Sequence, residues 1–176
     1  MECLMHKKVA FIGSVGSGKT TIVENLSNTQ ALNTDVKSTV AIGKEMTTVG
    51  IDYGHIVLGD DITLGLYGVP GQRKFSMIWD FVQNGLWAIV ILVKNNDVES
   101  IREINYLIEY FSITADFPCL IAITHADDAE TFETHEHILK ITQEANLDIP
   151  IYTIDPRRNS CAQLIMHTLI ALEESL

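Results

Sequence analysis

A glycine-rich segment near the start of the chain has the residue types and spacing of a phosphate-binding loop. Residues 13–20 read Gly-Ser-Val-Gly-Ser-Gly-Lys-Thr, which matches the pattern G-x-x-x-x-G-K-[ST]. Glycines let a backbone wrap closely around phosphate oxygens, and the N–H groups of the loop then point at them. The pattern predicts that Lys19 contacts the β- and γ-phosphates of a nucleotide and that the Thr20 hydroxyl ligates Mg²⁺. A glycine-rich turn without a ligand is the alternative; a strand pattern before the segment and a helical pattern after it argue against that alternative.

Four short polar segments farther along the chain each lie at one end of a hydrophobic run. Residues 47–53 begin with Thr47-Thr48 and residues 66–72 end with Pro-Gly-Gln, while residues 124–127 read Thr-His-Ala-Asp and residues 153–155 read Thr-Ile-Asp. In order and spacing these segments resemble the switch and base-binding motifs of the Ras-like small GTPases. The Pro-Gly-Gln variant, with no Asp before it, resembles the prokaryotic branch that includes the gliding-motility GTPase MglA and its relatives.

The resemblance implies roles for residues at the phosphate end of the site. Thr48 would ligate Mg²⁺ with its hydroxyl and bond the γ-phosphate with its backbone, so that its segment is ordered only with a triphosphate. The Gly71 N–H would donate to the γ-phosphate, and Gln72 would orient the attacking water because its amide both donates and accepts. Gln72, Lys19 and Thr48 are therefore the predicted catalytic residues, and Thr20 and Thr48 are the predicted metal ligands. Without the resemblance, Gln72 is an ordinary residue of a solvated loop.

The resemblance also implies a guanine-binding end. Asp127 would accept two hydrogen bonds from the N1–H and the exocyclic amine of guanine, which adenine cannot supply. The Ile154 backbone N–H would meet guanine O6, and the His125 ring would cover the base by stacking. Asp127 precedes a predicted helix, so a helix N-cap remains an alternative interpretation of that residue. The full set of predicted nucleotide-binding residues is Ser14, Val15, Gly16, Ser17, Gly18, Lys19, Thr20, Thr21, Gly71, Thr124, His125, Asp127, Thr153, Ile154 and Asp155.

Three positions depart from the family's pattern or add to it. Gly68 stands where the family usually has an Asp that holds a water on Mg²⁺, so weaker Mg²⁺ binding is expected, with direct ligation by Thr20 and Thr48. Val15 stands where Ras proteins often have Gly, and its branched side chain is expected to crowd the attacking water and slow intrinsic hydrolysis. Arg73 is the internal candidate for an arginine finger, and a surface residue of a mobile segment is the alternative.

Hydrophobic runs of strand length alternate with helical patterns along the whole chain. The predicted strands are residues 7–12, 49–58, 62–67, 86–93, 117–123 and 149–154, and the predicted helices include residues 20–29, 98–111, 132–145 and 161–172. Most strands are apolar throughout, as burial on both faces requires, and Gly59-Asp60-Asp61 predicts a hairpin that adds one antiparallel edge strand. Residues 28–46 are predicted to be a long loop. We expect a doubly wound α/β fold of the P-loop NTPase type, with a six-stranded, mostly parallel sheet and about five helices, in a single domain over residues 1–176.

Composition excludes several classes of partner. The 176 residues carry 12 basic and 23 acidic side chains, a formal net charge of −11 at pH 7. Nucleic acid and anionic membranes repel a net anion, so neither is expected as a partner. No apolar run approaches the roughly 20 residues of a spanning helix, and neither end shows a signal peptide or lipidation motif. We therefore expect no intrinsic membrane anchor and a cytoplasmic location, which the three widely spaced Cys, without a metal pattern, do not alter.

These observations predict a guanine-nucleotide-binding molecular switch that hydrolyses GTP to GDP slowly without a partner. GTP or GDP would be the ligand and Mg²⁺ the cofactor, and the resemblance implies effector and activating proteins, among them activators of the roadblock type. A binding module that holds nucleotide with negligible turnover remains the alternative, because Gly68 and Val15 depart from the family. A small-molecule kinase would need an acceptor pocket and usually a lid with paired Arg, and the sequence shows neither.

Overall fold

The computed structural model describes residues 5–27, 36–42, 45–58, 62–127 and 130–176. The strands within these residues are β1 (Met5–Gly13), β2 (Val36–Ile42), β3 (Glu45–Leu58), β4 (Ile62–Pro70), β5 (Leu86–Lys94), β6 (Cys119–Thr124) and β7 (Ile151–Thr153). The helices are α1 (Lys19–Leu26), α2 (Ser76–Gln83), α3 (Val98–Tyr110), α4 (Phe132–Glu144) and α5 (Asn159–Glu174), with a 3₁₀ turn at Arg73–Phe75. In this part of the chain, no helix is both long enough and apolar enough to cross a membrane.

The strands form one mixed sheet in the order β2-β3-β4-β1-β5-β6-β7. The central strand β1 pairs in parallel with β4 and β5, and β5, β6 and β7 continue the parallel part. The β2–β3 and β3–β4 pairs are antiparallel. Because the parallel strands run in one direction, the loops that follow their carboxyl ends meet at one edge of the sheet.

Helices cover both faces of the sheet. The first core lies between the sheet and α2, α3 and α4, and it includes the fully buried Trp79. The second core lies between the sheet and α1 and α5, and it includes Leu169. Successive residues of β5 point alternately into the two cores, Ile89 and Ile91 into the first and Val90 into the second. Burial on both faces is the reason that this strand is a continuous apolar run in the sequence.

The predicted fold class is confirmed, since the structure is a doubly wound, mostly parallel α/β sheet with five α-helices in the described residues. The predicted strand number is wrong: the described residues form seven strands, because residues 36–42 of the predicted loop form β2 and β3 already begins at Glu45. The predicted antiparallel strand, β3, accordingly lies between β2 and β4 rather than at the edge of the sheet. Among the described strands, β2 lies at the edge of the sheet beside β3, and its pairing with β3 rather than an apolar period of its own defines it as a strand. Residues 28–35 of the predicted loop and the predicted turn at residues 59–61 lie outside the described residues.

The helix α2 was not located in the sequence, although the predicted total allowed for it. Its buried residues Ile78, Trp79 and Val82 share one face. The Trp79 ring packs edge-on against Tyr110 of α3, with 5.0 Å between ring centroids, and its Nε1 donates to the Pro70 carbonyl at 2.7 Å. This tryptophan therefore joins the end of β4 to α3, and it anchors the segment that carries Gln72.

Candidate functional site

The predicted site residues gather around the carboxyl end of β1. Gly13, its last residue, pairs with Pro70 of β4 and with Leu92 of β5, so the segments after these strands lie beside the phosphate-binding loop. A cavity of about 450 Å³ on one side of the loop is lined in part by Ser14, Gly71 and Gln72. On the other side, a cavity of about 620 Å³ includes in its lining eight predicted residues: Gly16, Gly18, Thr21, His125, Asp127, Thr153, Ile154 and Asp155.

The phosphate-binding loop has the backbone conformation that its glycines predict. Gly16 and Gly18 have φ angles of +73° and +101°, in the left-handed region. A Cβ on Gly18 would lie 2.5 Å from the Pro156 side chain, so this position has no room for one. No described residue accepts a hydrogen bond from the N–H groups of Gly16, Gly18, Lys19 or Thr20, where α1 begins. These donors at a helix N-terminus form a cradle that fits a phosphate group.

The remaining residues of the loop differ in exposure. Ser17 is buried beneath the loop, and its N–H donates to the Ser14 carbonyl at 3.2 Å. The Ser14 hydroxyl is buried and has no hydrogen-bond partner among the described residues. The Val15 side chain is 73% exposed, and its carbonyl accepts a hydrogen bond from Lys94 Nζ at 2.9 Å. Because the Val15 side chain faces solvent in this arrangement, its crowding of an attacking water stays a prediction.

Lys19 is held over the loop by two backbone carbonyls. Its Nζ donates to Ser14 O at 2.7 Å and to Gly13 O at 3.0 Å. Burial lowers the pKa of Lys19 to about 8; the Asp52 carboxylate opposes this shift and the Lys94 charge adds to it. The cation is thus partly stripped of water without full compensation, and a phosphate group would supply the missing negative charge.

Proton uptake on GDP binding is the expected consequence of this low pKa. Below about pH 8, Lys19 is already protonated in the nucleotide-free protein. Above about pH 8, Lys19 must take up a proton from solvent when the phosphates bind, because their negative charge raises the pKa of Lys19. Between about pH 7 and pH 9 the GDP affinity is therefore expected to fall about tenfold, with nearly one proton taken up at the higher pH. Calorimetry in two buffers of different ionisation enthalpy measures the uptake. Lys19→Arg is the control, since guanidinium stays charged and should take up none; a wild type without uptake at pH 9 contradicts the expectation.

The segment after β4 crosses directly over the end of β1. The Gly71 N–H donates to the Gly13 carbonyl at 2.9 Å, and a Cβ on Gly71 would lie 3.2 Å from the Gly13 backbone. Gln72 follows with an exposed side chain, and it shares the 450 Å³ cavity with Ser14. The structure thus brings Gln72 to the phosphate end. The predicted contact of the Gly71 N–H with a γ-phosphate requires the bond to Gly13 to be exchanged first.

Arg73, the internal candidate for an arginine finger, is engaged with α3. Its Nε donates to Glu103 Oε2 at 2.9 Å, and its guanidinium lies over the Tyr106 ring, 4.1 Å from the centroid. The pKa of Arg73 is raised chiefly by the Glu103 hydrogen bond. In this conformation Arg73 ties the 3₁₀ turn to α3, and a role at the phosphates would require it to leave both partners.

The predicted base-reading carboxylate is paired with an arginine that the sequence reading did not single out. Asp127 is 77% exposed and accepts a hydrogen bond from Arg157 Nη2 at 3.3 Å. Arg157 also donates to both carboxylate oxygens of Asp155, at 2.8 and 3.0 Å. The helix-cap interpretation of Asp127 is wrong, because α4 begins at Phe132 with Thr131 at its N-cap position.

The other residues predicted to contact the base lie at the ends of β6 and β7 or directly after them. Thr124 is buried at the end of β6, and its hydroxyl lies 3.0 Å from Nδ1 of His125. His125 has an exposed side chain and a φ of +58°. The Ile154 N–H, predicted to meet guanine O6, donates to the Ile123 carbonyl at 2.9 Å, so the predicted contact would require this bond to be exchanged first. The segment that faces the phosphate loop begins later, where Pro156 contacts Gly18.

A carboxylate missing from the predicted site lies next to the predicted metal ligand Thr20. The Thr20 hydroxyl donates to Asp52 Oδ2 at 2.7 Å. No cluster of three or more His, Cys, Asp or Glu that could hold a metal occurs in the described ranges. A hydroxyl beside one carboxylate fits Mg²⁺, which usually keeps several waters and takes its other oxygens from substrate phosphates. Thr48 lies in β3 opposite Thr39, but its side chain is outside what the structure describes.

The phosphate-binding loop follows the central strand of the sheet, with the Gln72 segment on one side and the 620 Å³ cavity on the other. This arrangement is that of a P-loop nucleotide-binding protein of the Ras-like type. The chain belongs to the ADP-ribosylation factor family, whose model matches residues 2–163. That family comprises guanine-nucleotide-binding proteins, and this chain is accordingly one of them.

Two individual proteins show the same likeness. The uncharacterized protein MJ1339 of Methanocaldococcus jannaschii is 30% identical over 133 residues, which are 73% of this chain and 77% of that protein. The bacterial selenocysteine-specific elongation factor EF-Sec superposes on 100% of this chain with a TM-score of 0.68 at 16% identity. The match spans 29% of the elongation factor's own chain, and at this identity it shows the fold alone.

Proposed function

We propose that the protein is a molecular switch that binds GTP, hydrolyses it to GDP and presents different surfaces in the two states. The observation that carries the proposal is the hydrogen bond from Gly71 to Gly13, which puts Gln72 at the cavity beside the phosphate-binding loop. This backbone bond joins the segment to the phosphate-binding loop, while Trp79 anchors the segment at Pro70. Exchange of the bond would let Gly71 respond to the presence of a γ-phosphate. A γ-phosphate that accepted the Gly71 N–H would draw this segment toward the nucleotide.

The residues of the chain divide the work of hydrolysis. Lys19 holds the β- and γ-phosphates, and its depressed pKa of about 8 returns toward its ordinary value when they bind. Gln72 orients a water in line with the γ-phosphate through its amide. Mg²⁺, held by Thr20 and Thr48, would supply charge neutralisation on the phosphates. The three predicted catalytic residues therefore keep their roles in the proposal.

At the base end, Asp127 reads guanine, and Arg157 is the group that guanine replaces. The Arg157 guanidinium donates to Oδ1 of Asp127, one of the two carboxylate oxygens that guanine would use. Both side chains are more than 70% exposed, so the ion pair stabilises the free site only weakly. A nucleotide displaces Arg157 from Asp127 at small cost, because the guanidinium keeps its hydrogen bonds to Asp155.

Slow intrinsic turnover and dependence on a partner complete the proposal. Arg73 lines the cavity beside Gln72 but is engaged with Glu103 and Tyr106, so it would have to leave both partners to act as an arginine finger. An activating protein would pin the Gln72 segment or supply an arginine, and an effector would bind one nucleotide state. A single G domain over residues 1–176, cytoplasmic location, activators of the roadblock type and a place in the gliding-motility branch stay predictions of the sequence.

A binding module with negligible turnover is the second candidate. It is favoured by Val15, which replaces a glycine of the Ras pattern, and by the engagement of the Arg73 side chain with Glu103. Both candidates bind guanine nucleotide. Only the switch loses stimulated turnover when Gln72 is replaced.

Asp127→Asn tests the base site on which both candidates depend. The asparagine amide would offer a donor to the exocyclic oxygen of xanthine and would lose one of the two acceptors for guanine. GDP affinity is expected to fall about 10- to 100-fold, while xanthosine diphosphate gains, because hydrogen bonds to a charged group are worth about 1.5–3 kcal/mol. Competition of both nucleotides against fluorescent GDP measures the ranking.

Asp116→Asn is the matched control, since it removes an exposed carboxylate just before β6, at the opposite edge of the sheet. The control is expected to rank the nucleotides as wild type does. A variant Asp127→Asn with the wild-type ranking would place the base elsewhere. The nucleotide that copurifies with wild type, identified by chromatography, gives an independent check: anything but GDP or GTP argues against a guanine site.

A further inference from the structure

Asp52 and Gly68 form a cross-strand pair beside the phosphate-binding loop. They are register partners in the antiparallel pairing of β3 with β4. Directly opposed residues of an antiparallel pair have their side-chain positions on the same face of the sheet. The Asp52 carboxylate therefore lies above Gly68, the position at which a Ras-like protein usually carries its own carboxylate.

The pair fits only because residue 68 has no side chain. A Cβ on Gly68 would lie 2.8 Å from Asp52 Oδ2 and 3.0 Å from Asp52 Cβ. The 2.8 Å distance is shorter than real Cβ atoms show, so a side chain at 68 would displace the Asp52 carboxylate from this position. Glycine at 68 is thus a condition for the observed position of Asp52.

The same carboxylate orients the hydroxyl of the predicted metal ligand. A threonine hydroxyl has one proton and two lone pairs. Thr20 Oγ1 donates its proton to Asp52 Oδ2, with 2.7 Å between the two oxygens. The lone pairs of Thr20 Oγ1 are therefore left for a cation. A carboxylate that accepts from a metal ligand in this way makes the ligand a better donor to the metal.

We propose that Asp52 is the positioning residue of the magnesium site, in place of the carboxylate that Gly68 lacks. The carboxylate has moved from one strand to its neighbour while it keeps its place in space, next to Thr20. This inference rests on the proposed function, because it presumes a bound nucleotide whose phosphates complete the site. It replaces the expectation that the glycine at 68 leaves Mg²⁺ weakly bound.

The test measures Mg²⁺ affinity rather than turnover. Protein loaded with fluorescent GDP is titrated with Mg²⁺ at several fixed concentrations of excess unlabelled GDP, and the rate of label release is recorded. Asp52→Ala is expected to raise the Mg²⁺ concentration that halves the release rate by about 10- to 100-fold. Asp52→Asn keeps the size of the side chain and removes its charge, and it is expected to raise the midpoint in the same direction.

A transplanted carboxylate distinguishes positioning from a structural role. The double variant Asp52→Ala/Gly68→Asp returns the carboxylate to β4 and frees the space that Asp52 fills, so it is expected to recover most of the lost Mg²⁺ affinity. Gly68→Ala alone leaves Asp52 present but displaced, and it is expected to weaken Mg²⁺ binding. Glu24→Gln, which removes an exposed charge from α1, is the matched control and is expected to keep the wild-type midpoint.

Each outcome decides the question. A wild-type midpoint in Asp52→Asn overturns the inference, and so does an Asp52→Ala defect that the transplanted carboxylate leaves unrepaired. Should Asp52→Ala fail to fold, the Asp52→Asn and Gly68→Ala midpoints carry the test. Failure of the proposed function has a separate signature, since wild type would then retain no fluorescent GDP even in saturating Mg²⁺.

Discussion

Replacing Lys19 by Ala is expected to reduce GTP affinity by about 10²- to 10⁴-fold, through the loss of charge-assisted contacts to the β- and γ-phosphates at about 1.5–3 kcal/mol each. GDP lacks the γ-phosphate, so its affinity is expected to fall by about 10- to 100-fold through the loss of the β-phosphate contact. The Lys19 side chain is already in position at the phosphate-binding loop, because its Nζ donates to the carbonyls of Gly13 and Ser14. Equilibrium titration with fluorescent GDP measures the loss.

The fold should persist in this variant. Burial removes part of the water around the Lys19 charge and lowers the pKa of Lys19 to about 8. The charged side chain therefore contributes little to the stability of the nucleotide-free protein, and its removal costs little. Circular dichroism of the nucleotide-free variant checks the fold. Lys140→Ala is the matched control, because Lys140 is 75% exposed on α4 and lies 4.0 Å from Glu144. A Lys19→Ala protein that binds GDP as tightly as this control would refute the assignment of the loop.

Gln72→Leu is expected to remove partner-stimulated hydrolysis, lowering the stimulated rate by about 10²- to 10³-fold, while GTP affinity changes little. The glutamine amide acts on the water mainly in the transition state, so its loss weakens the transition state rather than the bound ground state. Because the Gln72 side chain is exposed, its replacement should not lower the stability of the fold, and a change in hydrolysis rate would come from the site itself. Single-turnover phosphate release, with and without candidate partners from the same cell, measures the rate.

The control for this variant is Gln83→Leu, an exposed glutamine at the end of α2. It should leave both the intrinsic and the stimulated rate unchanged. Arg73→Ala, measured in parallel, reports whether the arginine on Glu103 and Tyr106 contributes to the intrinsic rate. If no partner stimulates release and Gln72→Leu matches wild type, the protein is better described as a nucleotide-binding module than as a hydrolytic switch.

Short-range features of this protein could be predicted because the residues that create them are neighbours in the chain. The phosphate-binding loop needs only its own glycines, its lysine and threonine, and a strand and helix on either side. The parallel strands were visible because burial on both faces demands an unbroken apolar run, as in β5. Asp127 was visible because it follows such a run at a short distance.

Features that depend on pairing between distant segments were predicted incompletely. β2 was missed because an edge strand is stabilised by its neighbour β3 and not by its own pattern. The Ile154 N–H is predicted to bind guanine, but in the structure it donates a hydrogen bond to the Ile123 carbonyl of β6. Arg157 was overlooked because its approach to Asp127 joins two loops that are 30 residues apart in the chain.

The proposed magnesium site separates what the sequence determined from what only the tertiary structure decided. The sequence determined that Thr20 follows the phosphate loop and that residue 68 is glycine, and from these facts a missing carboxylate was inferred. The predicted hairpin also indicates which residue faces Gly68, because equal steps back along both strands from the predicted turn lead to Asp52, the register partner that the structure has. Only the tertiary structure decided that α1 lies against this hairpin closely enough for Thr20 to donate to Asp52. That distance depends on the packing of a helix on a sheet, which no spacing along the chain encodes.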